Sequence, residues 1–100
     1  MLYTVEIGAH LVWRFEKSSG GRVIGICDQL SLAIEGDNVD EARSIAREAM
    51  HNLFLLHLAE GTLEAFLRAK GWGISAVPEL LGLEDSAVFN VASVETRWAG

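Results

Sequence analysis

Between Leu30 and Leu58 the chain passes from a short apolar strand into a long helix with only three residues at the corner. Leu30-Ser31-Leu32-Ala33-Ile34-Glu35 reads as the strand, Gly36-Asp37-Asn38 as the corner, and a helix follows from about Val39 to Ala59. Gly36 can take a positive φ at a sharp turn without steric cost. Asn38 is a favourable N-cap, and Glu41 three residues later completes a variant capping box. Asp40 and Glu41 add negative charge at the positive end of the helix dipole. A strand end and a helix start this close together set the direction in which the helix packs. The corner is a structural device and carries no chemistry of its own.

Upstream, Tyr3, Val5, Ile7, Ala9, Leu11, Trp13 and Phe15 alternate with Thr4, Glu6, Gly8, His10, Arg14 and Glu16, and only Val12 breaks the rule. Period-two alternation predicts a strand with one dry face, and a strand of this length is expected to bend, near Gly8. Lys17-Ser18-Ser19-Gly20-Gly21 reads as a hairpin loop and Arg22–Asp28 as a second, antiparallel strand. With Leu30–Glu35 these make a meander. In the helix, Val39, Ala42, Ile45, Ala46, Ala49, Met50 and Leu53 keep helical spacing, while Arg43, Arg47 and Glu48 fall largely on the wet side. Its last turns are apolar all round through Leu53, Phe54, Leu55, Leu56 and Leu58, which predicts burial on more than one side.

Gly61 is placed as a helix terminator, and Thr62 as the cap of a short helix, Leu63–Lys70, that ends at Gly71. The stretch Trp72–Asp85 reads as a loop with one helical turn at Glu79-Leu80-Leu81, and Ala87–Trp98 as a final strand of imperfect alternation. The expected fold is α+β, in the order β-β-β-α-(α)-β, with an antiparallel sheet and one long helix on one of its faces. The expected organisation is a single domain over residues 1–100, with its core in 3–72 and a loop and final strand in 73–98.

Half of the 100 residues are hydrophobic and only one is proline, which is the composition of a globular domain. A formal charge of −6 argues against direct nucleic-acid binding and suits a basic protein partner, or solubility alone. The single cysteine, Cys27, cannot form an intramolecular disulfide, which points to a reducing cytoplasm. No secretory signal is expected, because the alternation begins at once. The run Leu53-Phe54-Leu55-Leu56 is far too short to span a bilayer.

Side chains that could carry chemistry are few. His51 and His57 are six apart and face different sides of a helix, and His10 lies far away in sequence. Glu48-x-x-His51 has the spacing of carboxylate-bridged metal sites, but that architecture needs a second such motif and further glutamates. Cys27 lies in an apolar strand, where a thiol is usually a small hydrophobe. Ser19-Gly20-Gly21 leads into a strand and lacks the helix N-terminus that a phosphate site uses. Glu6, Asp28 and Glu35 could approach one another across a sheet and hold magnesium, or be solvated strand residues. Catalytic, cofactor and metal residues are therefore expected to be absent. Of the three tryptophans, Trp13 belongs to the dry face, while Trp72 and Trp98 can either cap the core or anchor an interface.

The segments Arg22–Leu30 and Leu32–Ala42, with Gly36-Asp37-Asn38 leading into Glu41-Ala42, resemble the HicB-like antitoxin domain, and Glu60–Trp72 is similar to a frequent extension in that family. The resemblance covers about Tyr3 to Trp72. The chain departs from the family in having Asp28 where proline is common, Leu30-Ser31-Leu32 where a Leu-Pro-Gly-Cys turn is common, and Asn38 in place of Thr or Ser. No helix-turn-helix or ribbon-helix-helix extension is expected after Trp72. The resemblance implies a partial ribonuclease-H-like fold, assembly into dimers or tetramers, and non-enzymatic neutralisation of a small basic HicA-type toxin that cleaves messenger RNA. It supplies no catalytic role for Glu6, Asp28 or Glu35.

Three functions follow. The leading one is a toxin-occluding protein module, with Phe54, Leu55, Asp28, Trp72 and Trp98 as the expected partner or oligomer interface. The second is a stand-alone oligomeric domain without a toxin, and the third a divalent-metal nuclease.

Overall fold

The alternating first segment forms a 15-residue strand, β1 (Tyr3–Lys17). The computed structural model describes residues 3–74 and 87–99. After β1 come β2 (Val23–Cys27), a 3-10 turn (Asp28–Leu30), β3 (Leu32–Gly36), α1 (Val39–Glu60), α2 (Leu63–Ala69), β4 (Gly73–Ile74) and β5 (Ala87–Ala99). The fold is α+β. β1 pairs antiparallel with β2, with Lys17 opposite Val23, and β2 with β3, with Cys27 opposite Leu32. The sheet runs in the order β3-β2-β1-β4, and β5 also pairs with β1.

The dry face is where the alternation puts it. Val5, Ile7, Ala9, Leu11, Trp13 and Phe15 are all buried, while Thr4, Glu6, Gly8, His10, Arg14 and Glu16 are exposed.

The corner before α1 holds a capping box shifted by one residue. The Glu41 amide donates to Asn38 Oδ1 at 2.9 Å, and Glu41 Oε1 accepts from the Asp37 amide at 3.1 Å, not from that of Asn38. Gly36 corrects the expectation of a positive φ, because that conformation belongs to Gly21, Gly61, Gly71 and Ser31. Its role is steric. A Cβ on Gly36 would lie 2.7 Å from the Ala42 backbone nitrogen and 2.9 Å from its Cα.

Both helices end at a left-handed glycine. At Gly61 (φ 72°) the Thr62 amide reaches back to the His57 carbonyl at 2.8 Å; at Gly71 (φ 77°) the Trp72 amide reaches the Leu67 carbonyl at 3.0 Å. These are Schellman closures, which satisfy carbonyls left over at a helix C-terminus. Thr62 does not cap α2 with its side chain; its hydroxyl sits 2.8 Å from His57 Nδ1 instead.

Other boundaries differ from expectation. Asp28 and Leu30 leave the strands for the 3-10 turn, which closes through Ser31 in the left-handed region at φ 55°. The Gln29 side chain then extends the ladder on β1, accepting from the Val12 amide at 2.7 Å and donating to the His10 carbonyl at 2.6 Å. The stretch read as loop from Trp72 contains β4, whose Gly73 lies opposite Gly8, and a Cβ on Gly8 would come within 3.4 Å of the Gly73 carbonyl oxygen. The expected helical turn at Glu79-Leu80-Leu81 lies outside the described residues.

The chain divides into two compact units: Met1–Ala9 with His51–Ser93, and His10–Met50 with Val94–Gly100. In the first, Phe54 is buried and packs on Phe89 at 5.6 Å between ring centres, and Leu63 and Leu67 of α2 are also buried. The apolar end of α1 is not covered on every side, since Leu56 is 55% exposed. In the second, Trp13 and Phe15 lie nearly parallel at 6.2 Å, and the Trp13 indole N–H meets Met50 Sδ at 3.2 Å. Among the described residues, no helix is long and apolar enough to cross a membrane.

Candidate functional site

The three carboxylates with nuclease potential have separate partners. Glu6 accepts from Asn90 Nδ2 at 2.8 Å. Asp28 pairs with Arg14 at 3.0 Å, and Glu35 with Arg22 at 3.3 Å. Among the described residues, no group of three His, Cys, Asp or Glu side chains is placed to hold a metal ion. His51 lies edge-on to Phe89, His57 stacks on Phe66 at 4.1 Å, and His10 stands 4.0 Å from Glu95. Cys27 is a buried free thiol.

The five expected interface residues fall in different settings. Phe54 is 1% exposed, so its ring is already used inside the chain and offers no surface to a partner. Leu55 and Trp72 are half-buried, and the Lys70 ammonium stands 5.8 Å from the Trp72 ring. Asp28 is exposed and tied to Arg14. Trp98 is 47% exposed. Phe54, Leu55 and Trp72 belong to one unit, Asp28 and Trp98 to the other.

Within the second unit lies a groove of about 280 Å³ that sequence reasoning did not single out. It is lined by Trp13, Phe15, Ala46, Met50, Val94 and Thr96 together with Arg43 and Arg47; Trp13, Phe15 and Ala46 are buried behind it, and Val94, Thr96 and the two arginines are exposed. Helical spacing puts both arginines on the wet side of α1, and both are exposed. They also overhang an apolar depression. The available signal was a pair of arginines one turn apart, neither with a carboxylate four residues away.

β5 contributes to the groove through Val94 and Thr96. In the first unit the odd-numbered Phe89 meets His51 and Phe54 of α1, while Asn90 reaches Glu6. In the second, the even-numbered Val94 and Thr96 line the groove beside α1, while Glu95 faces His10.

The fold and the groove define a class, an α+β domain with a β meander, a long helix and an apolar depression bordered by two arginines. Compared with protein-family models, with curated proteins and with solved structures, the chain shows no match.

Proposed function

We propose that the chain is a non-enzymatic protein-binding module of the HicB-like antitoxin kind, acting in the cytoplasm by covering a small basic toxin of the HicA type. The observation that carries this reading is β5. It is 13 residues long, its only described pairing is with β1, and it presents Val88, Val94 and Trp98 to solvent. Exposed apolar side chains on a strand suit contact with a partner. The β-β-β-α order and the capped corner before α1 are consistent with the family's expected core, including its partial ribonuclease-H-like architecture. The excess of 14 acidic over 8 basic residues would attract a cationic toxin and speed encounter, while buried apolar contacts would set residence time.

Titration with the purified toxin encoded beside this chain is expected to give a one-to-one complex whose affinity falls steeply with salt. Trp98→Ala is expected to weaken it by about 1–2 kcal/mol or more, the range of an aromatic anchor. No complex at micromolar concentration would overturn the reading.

Self-association belongs to the same proposal, because Leu56 stands exposed on the apolar end of α1. Sedimentation is expected to show a dimer or tetramer at micromolar concentration, reduced to monomer by Leu56→Glu. A monomeric mass for the parent chain would remove the oligomer from the proposal.

A further inference from the structure

We infer that the groove beside Arg43 and Arg47 binds a small amphiphilic carboxylate, with the apolar body against Met50 and Val94 and the carboxylate between the two guanidinium groups. The inference is independent of the toxin reading, since a basic partner has no use for these arginines.

Charge complementarity selects the ligand. Arg14, Arg22, Arg68 and Arg97 each stand within 3.4 Å of a carboxylate. Among the described residues, Arg43 and Arg47 make no hydrogen bond or ion pair. Four residues apart on α1, they lie on one helix face and can address a single anion. Guanidinium forks hold carboxylates in a fixed planar geometry, so two of them can define one seat.

The walls select the rest of the molecule. Among the described lining residues Thr96 carries the one hydroxyl and the rest beside the two arginines are apolar or aromatic, so few partners exist for the several hydroxyls of a sugar. A cavity of ~150 Å³ lined by apolar side chains takes benzene. About 280 Å³ therefore admits a body of roughly a dozen heavy atoms, the size of a fused bicyclic ring.

The test is a ¹H–¹⁵N NMR titration of the full chain with 2-naphthoate, 2-naphthalenemethanol and acetate. 2-Naphthoate is expected to shift the Trp13 indole and the Val94 and Thr96 amides saturably. The neutral alcohol and acetate are each expected to bind at least about tenfold more weakly, one lacking the charge and the other the body. Arg43→Gln with Arg47→Gln should cut 2-naphthoate affinity by at least about tenfold while the amide spectrum stays folded. Equal affinity for acid and alcohol would overturn the inference, as would unchanged binding by the double variant or the absence of saturable shifts at these residues. A dilution-dependent change at the same resonances without probe would also overturn it, by showing that a second copy covers the groove.

Discussion

Replacing Trp13 with alanine is expected to lower the stability of the chain by about 3–5 kcal/mol, read as a fall in the urea midpoint without a change in slope. Trp13 is 1% exposed and heads the fully buried side chains by volume. Its ring lies against Phe15, and its N–H meets Met50 Sδ, a weak acceptor that adds little beside the burial of the ring. Alanine would forfeit both the transfer of the indole from water and the contacts of its neighbours. Trp13→Phe keeps an aromatic ring and gives up the N–H, so it should cost less, about 1–2 kcal/mol. A Trp13→Ala variant within 1 kcal/mol of the parent would mean that the odd-numbered face of β1 is not the dry one.

That face was legible because its signal is local and repeated. Six consecutive odd positions, from Val5 to Phe15, are apolar and buried, and a one-residue slip would expose all of them. The helix ends were legible for a related reason, since Gly61 and Gly71 both take the positive φ that suits glycine best. The Asn38–Glu41 pairing follows from side-chain reach alone, although Glu41 bonds one residue further back than the usual box.

What escaped the sequence depends on partners distant along the chain. β4 has two residues and no period of its own; it is defined by its pairing, Gly73 opposite Gly8 and Ile74 opposite Ile7. The same Gly8, taken alone, reads as a bend. The Gln29 side chain completes a ladder whose need arises only where β2 stops short of Val12 and His10. The groove needs Arg43 and Arg47 from α1, Trp13 and Phe15 from β1, and Val94 from β5, so no single segment announces it. Phe54 shows the opposite failure. A dense apolar run suggested a surface for partners, but its largest member is covered by Phe89 and only Leu56 is left well exposed.

Gly36→Ala is expected to cost about 2–3 kcal/mol or more, the upper range for overpacking, and to raise the urea sensitivity of the helix signal with that of the sheet. The added Cβ would lie 2.7 Å from Ala42 N, 2.9 Å from Ala42 Cα and 3.2 Å from Ala42 Cβ. Two of these are backbone atoms in the first turns of a capped helix, so relief requires α1 to move off the end of β3. The dihedral plays no part, because Gly36 is not among the positive-φ residues. Gly61→Ala is the complementary control: nothing lies within 4 Å of its Cβ, and its cost comes from φ 72°, about 1 kcal/mol. Ala42→Gly distinguishes the two causes. It removes the Cβ at 3.2 Å but leaves the nitrogen and Cα in place, so the double variant with Gly36→Ala should not recover stability and should add the helix penalty of glycine, about 1 kcal/mol. Recovery in the double variant would show that side-chain crowding, and not the approach of two backbones, sets the corner from which α1 starts.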